Sequence, residues 1–397
     1  MFENEKVKLD VLKKRAYNLR WAEVEDGVIP MTAADPDYPV AKEITDAMIA
    51  YIQDGYFSYT PKMGFPSFKE AISKALYERK GEQIPADLIL PIDSAARAMD
   101  IVAKAFLQPG DEMIVFDPCD YLFREACLQA GGTPVFFPAD LKDGLIDLSN
   151  LEKYITPKTR MIGLCNPHNP YGKSYTVEQL DFLMSLCEKY DLYIMNDEIW
   201  SDIMYPDAKF NSIYCLGNDR CHRVLSVFGF SKSFGLAGLR IGCMYCTDQK
   251  NFDRLVEKSQ VLSTAGGICS ISQVAGEAAV SQAYYWVDEF IQHLMRSRDY
   301  AVEVINKIPG LKAYKPDGTY LLYVDMSAYD MLAVDFVNYL KEKVKLVLVP
   351  GGRTYFGDLS EGHFRICFAT SREILEEGLK RLEEGTRLLR EEKGLNL

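Results

Sequence analysis

The chain predicts an α/β protein built on a mostly parallel sheet, and two observations carry that expectation. Apolar runs near residues 112–116, 133–137, 160–165, 191–197, 224–230 and 239–246 read as buried strands, separated mostly by stretches of helical periodicity such as Ala95–Leu107 and Val177–Tyr190. The residues suited to chemistry follow these runs, at the strand ends where such sheets bind ligands. A length of 397 residues with 48% hydrophobic content can bury large cores and fits two or three domains. The expected division is a large domain over 46–285 and a smaller α+β domain over 286–397, with residues 1–45 crossing onto the smaller one.

Taken in order, each run delivers a distinct tail. The run near 112–116 leads to Pro118-Cys119-Asp120-Tyr121. Arg160–Cys165 enters Asn166-Pro167-His168-Asn169-Pro170-Tyr171-Gly172, where two prolines and a glycine force a turn that presents the Asn169 amide. Asp191-Leu-Tyr-Ile-Met-Asn-Asp-Glu198 places Asp197 at a strand end. Val224–Phe230 delivers Ser231 and Lys232, after which glycines turn the chain towards Arg240.

A lysine after an apolar strand is, on its own, usually a solvated strand end. The company Lys232 keeps gives it a chemical use. Burial disfavours the ammonium form, and a neutral amine attacks an aldehyde to form a Schiff base. Pyridoxal phosphate (PLP) is the cofactor that exploits such an amine, given an acid partner for the pyridine nitrogen and a cradle for the phosphate. Asp197 is the candidate ring partner, since an adjacent carboxylate keeps that nitrogen protonated. Asn169 can donate to the cofactor's phenolate oxygen.

With Asn169, Asp197, Ser231-Lys232 and Arg240 in this order and spacing, the chain resembles the class I/II aminotransferases, the fold type I PLP-dependent enzymes. Asn-Pro-His-Asn-Pro-Tyr-Gly is similar to that family's Asn-Pro-x-Asn-Pro-Thr-Gly, and Arg240 stands where the family has its phosphate arginine. Ala34-Asp35-Pro36-Asp37-Tyr38 resembles an early substrate loop. Tyr59-Thr60-Pro61-Lys62-Met63-Gly64 resembles a segment whose tyrosine reaches the other subunit's phosphate, which implies a homodimer with shared sites. Gly362-His363-Phe364-Arg365-Ile366 resembles the segment whose arginine holds the substrate α-carboxylate, a role that suits a planar fork.

The resemblance also implies a phosphate loop at Ser94-Ala95-Ala96, where the family commonly opens with glycine and backbone amides at a helix start could cradle phosphate. Tyr121 is the candidate to stack on the pyridine ring, although Asp120 occupies the family's aromatic place. Trp200 stands where many relatives carry a tyrosine, and its indole nitrogen can only donate. Gly229 replaces a frequent phosphate-binding serine.

The implied activity is transfer of an amino group between an L-amino acid and a 2-oxo acid through a Schiff base on Lys232. The alternative is a β-lyase of the cystathionine or cysteine carbon–sulfur type, which Pro30–Tyr38 and Asp197–Asp202 also resemble. A PLP-sensing transcription regulator would need a DNA-binding module, and the family-like region already begins near Pro30. The stretch Lys258–Gln282 contains no arginine, which weakens a dicarboxylate substrate, while Arg97 beside the phosphate loop keeps one open.

Composition narrows the partners. A net charge of −12 opposes binding to nucleic acid or an anionic membrane. Met1–Asp10 is charged, no apolar run approaches the ~18 residues needed to span a bilayer, and ten cysteines at irregular spacing fit a reducing compartment, so a cytoplasmic location is expected. The four histidines lie at no ligand spacing, and no metal site is expected.

Overall fold

The computed structural model describes residues 1–263 and 267–397. Its main sheet runs Ile89–Ile92, Gly242–Tyr245, Val224–Gly229, Tyr193–Asp197, Thr159–Cys165, Glu112–Asp117 and Thr133–Pro138 in spatial order. Gly242–Tyr245 is antiparallel to both neighbours and every other pair is parallel. The expected α/β architecture is therefore present. Apart from the edge strand Thr133–Pro138, nearly every residue of these strands is buried, as sheets covered on both faces require.

Helices form where periodicity and capping agree. Ala95–Phe106 buries Ala98, Ile101, Val102 and Ala105 against the sheet, and the Ser94 hydroxyl accepts the Arg97 N–H at 3.1 Å to cap its start. Val177–Tyr190 opens with a capping box, in which the Gln179 N–H donates to the Thr176 hydroxyl at 3.2 Å and the Thr176 N–H donates back to the Gln179 amide oxygen at 3.0 Å.

Two strand expectations shift. The run over 239–246 pairs only from Gly242 to Tyr245, because Ala237–Leu239 forms a 3-10 turn and Arg240 sits in the left-handed region at φ 51°. Ile89–Ile92 is a strand that the apolar runs do not announce, and it contains Pro91. It is an edge strand paired on one side only, so the missing N–H costs no ladder bond.

A second, antiparallel sheet orders Lys312–Tyr314, Leu321–Asp325, His363–Cys367 and Val349–Pro350. The N-terminal residues Ile29–Pro30 pair in parallel with Leu346–Val347, so the start of the chain lies beside its C-terminal part. Arg20 and Asp37 form a buried ion pair that fastens the segment between them, and Asp37 also accepts the Trp21 indole N–H at 2.8 Å.

Replacing Asp37 with alanine strands the Arg20 charge in the core. The expected loss is about 3–5 kcal/mol, read as a lower urea midpoint at unchanged slope.

Candidate active site

The tails of the parallel strands open into one cleft of about 400 Å³. Of the residues expected to act together, Ala34, Ser94, Ala95, Ala96, Tyr121, Asn169, Asp197, Trp200, Ser231, Lys232, Arg240 and Arg365 all line it.

Phe230–Ser233 is one helical turn that begins as soon as the strand Val224–Gly229 ends, which aims Lys232 into the cleft. Its Nζ donates to the Ala34 carbonyl at 2.7 Å and lies 5.6 Å above the Trp200 ring, itself packed edge-on against Tyr320. Burial lowers the Lys232 pKa, with Asp35 opposing the shift. A carbonyl oxygen and an indole face hold the amine without neutralising its charge.

Asp197 and Glu198 point opposite ways at the end of their strand. Glu198 turns into the protein onto Lys80 at 2.6 Å, whereas Asp197 faces the cleft and accepts the Ile199 N–H at 3.0 Å. Burial pushes the Asp197 carboxyl up to about 7; the Ile199 bond opposes this, and Asp120 and Glu198 add to it. A cationic N–H partner would relieve that cost.

The Asn166–Gly172 turn needs its glycine. Gly172 has φ 67°, and a Cβ there would lie 2.4 Å from Pro316 Cβ. The turn presents Asn169, whose amide is held at both ends: Nδ2 donates to Asp120 Oδ2 at 2.9 Å, and Oδ1 accepts from Arg365 Nη1 at 3.2 Å. Arg365, from the middle of the small sheet, also donates through Nη2 to the Thr32 carbonyl at 3.4 Å, while its buried Nε has no partner. A buried guanidinium with spare donors is a receptor for an anion.

The start of helix Ala95–Phe106 lines the same cleft, together with Ser231 and Arg240. Gly242 lets the helix start approach, since a Cβ there would lie 3.1 Å from the Ala95 nitrogen. Unpaired N–H groups at a helix N-terminus beside an arginine suit a phosphate. An amine with a depressed pKa, a buried carboxyl without a cation and a phosphate cradle together fit pyridoxal phosphate.

A family model for aminotransferase class I and II matches residues 26–382. The chain belongs to this family. It is 32% identical over 372 residues to a bifunctional aspartate aminotransferase and glutamate/aspartate-prephenate aminotransferase of Petunia hybrida, covering 90% of this chain and 76% of that one. A PLP-bound structure from Clostridium difficile 630, described as an aminotransferase, superposes with a TM-score of 0.88 at 26% identity, covering 94% of this chain and 97% of that chain. Cystalysin from Treponema denticola superposes at 0.90 over 98% and 99% of the two chains, and at 23% identity that likeness speaks to the fold.

The other side chains that the sequence singles out have distinct surroundings. Tyr59 is outside its own chain's cleft, 95% exposed beside the exposed Phe57 and Ile52. Arg97 turns to Asp100 at 2.7 Å and does not line the cleft. Tyr121 is partly exposed; its backbone N–H donates to the Tyr355 carbonyl at 3.1 Å. His168 is buried with Nε2 2.8 Å from the Pro118 carbonyl, and His363 stacks on Tyr323 at 4.6 Å. Cys243 and Cys246 are buried in the core.

The structure also brings in residues that no strand end announces. Leu19, Val349, Tyr355 and Phe356 line the cleft, as does Asp120, which the sequence marks only as occupying an aromatic's place. The Gly351-Gly352 pair just before Tyr355 is the one local signal of a functional loop.

The raised Asp197 pKa has a stability consequence. Because the folded-state pKa of about 7 exceeds the unfolded value of 3.8, the protein stripped of cofactor is favoured below pH 4 and loses that advantage as pH rises to 7. Asp197→Asn is therefore expected to stabilise the stripped protein at pH 8 by on the order of 2–4 kcal/mol and to do little at pH 4, as measured by urea unfolding at both pH values.

Proposed function

We propose that this chain is a PLP-dependent aminotransferase that moves an amino group between an L-amino acid and a 2-oxo acid, with Lys232 as its catalytic residue. The observation that carries this is the convergence of Lys232, Asp197 and Arg365 on one cleft, each charged group facing it without an opposite charge as a direct partner. Bound there, PLP supplies an electron sink for negative charge developing at the substrate's α carbon.

The residues divide the remaining work. Lys232 Nζ, whose pKa burial lowers, would hold PLP through its aldehyde carbon and would serve as the base that moves the substrate's α-carbon proton. Asp197 would keep a proton on the ring nitrogen. The N–H groups of Ala95 and Ala96, with Ser231 and Arg240, hold the phosphate. Arg365 holds the α-carboxylate in a bidentate fork beside Asn169, and Trp200 and Ala34 wall the amine from water.

Residues 46–285 form the cofactor domain and 286–397 the small domain, with residues 1–45 crossing onto the latter. The exposed Ile52, Phe57 and Tyr59 form the contact of a homodimer in which Tyr59 enters the partner's cleft. Ten free cysteines agree with a cytoplasmic location, and among the described residues no helix is long and apolar enough to cross a membrane.

An amino acid alone should change the PLP absorption band once per site, and a 2-oxo acid should restore it. Sustained release of pyruvate and ammonia from L-cystathionine, with no restoration, would make the protein a lyase. Lys232→Ala should cut the rate of that change at least about 100-fold. Sedimentation should find a dimer, and Tyr59→Ala should weaken PLP affinity about tenfold, the worth of roughly one hydrogen bond to a charged group.

A further inference from the structure

We infer that the amino acid this cleft selects carries no second carboxylate, and that Asp120 enforces the choice. The inference rests on the aminotransferase reading and names its substrate class. Among the described residues the cations lining the cleft are Lys232, Arg240 and Arg365. All three are already engaged, Lys232 by the cofactor carbonyl, Arg240 by its phosphate and Arg365 by the α-carboxylate. Arg97 is committed to Asp100, whose other oxygen takes Lys104 at 2.6 Å. A side-chain carboxylate therefore enters without a partner from its own chain.

It also meets a fixed negative charge. Asp120 cannot swing away, because Oδ1 accepts the Leu122 N–H at 3.1 Å and Oδ2 accepts from Asn169 at 2.9 Å. Through the Asn169 amide it stands one residue from Arg365, where the α-carboxylate binds. Like charges that close, in a partly desolvated cleft, repel strongly enough to cost about tenfold or more in affinity. The cleft is also lined by Leu19, Tyr121, Val349, Tyr355 and Phe356, which suit an uncharged side chain.

The test uses the PLP-loaded dimer, so any cation a partner lends counts against the inference. Second-order rate constants for the absorption change should be at least about tenfold lower with L-glutamate and L-aspartate than with the best of L-methionine, L-leucine and L-phenylalanine. Asp120→Asn, and Asp120→Ser, which keeps an acceptor for the Leu122 N–H, should narrow that gap at least about tenfold by raising the acidic donors selectively. Calorimetric binding of succinate against 4-methylpentanoate reads the same discrimination where no donor reacts, which separates failure of the discrimination from failure of the aminotransferase reading. An acidic donor as fast as the best neutral one, succinate bound as tightly as 4-methylpentanoate, or an Asp120→Asn effect equal for all donors overturns the inference.

Discussion

The cleft depends on charge kept inside the protein without direct neutralisation. Arg365 is met by an amide oxygen and a backbone carbonyl, Lys232 by a carbonyl and an indole face, and Asp197 by a single backbone N–H. Each arrangement costs folding free energy, because a buried charge is stabilised fully only by an opposite charge or a complete set of hydrogen bonds. Elsewhere the protein pairs its buried charges directly. Lys80 lies against Glu198 at 2.6 Å and Glu82 at 3.2 Å, and Arg20 against Asp37. The contrast marks the cleft as a place where a ligand supplies the missing partners.

Two sheets make this possible. The larger one fixes Asp197 at the end of its strand and Lys232 in the helical turn that follows the neighbouring strand, and a one-residue change of register would turn Asp197 inward and Glu198 outward. The antiparallel one fixes Arg365 between Leu321–Asp325 and Val349–Pro350. Asn169 joins a turn of the first to a strand of the second. The N-terminal segment closes the remaining side, with Ala34 over Lys232 and Thr32 over Arg365. In the proposed function, the substrate's α-carboxylate is read by one sheet and its reacting carbon by the other.

Much of this was legible in the amino-acid order because long apolar runs ending in polar residues have few alternatives. Val224–Gly229 and Tyr193–Asp197 are such runs, and the helix Val177–Tyr190 carries its own capping signal in Thr176 and Gln179. What escaped depends on pairings remote in sequence. Ile89–Ile92 is four residues with a proline, and only its place at the sheet edge makes it a strand. Arg97 looked available until Asp100, one helical turn on, claimed it. Asp120 was visible as an oddity, but its bond to Asn169, 49 residues away, appears only when two strand tails are brought together. Tyr355 and Phe356 come after the short apolar run Leu346–Pro350 and reach the cleft through the loop that opens at Gly351-Gly352.

The central claim is that Lys232 is the amine that holds the cofactor, and its most direct test is chemical. The protein should be loaded with PLP, reduced with borohydride to make the carbon–nitrogen bond permanent, digested, and its peptides weighed. The account predicts one phosphopyridoxyl group per chain, on the peptide containing Lys232. A label on another lysine, or none, would contradict it.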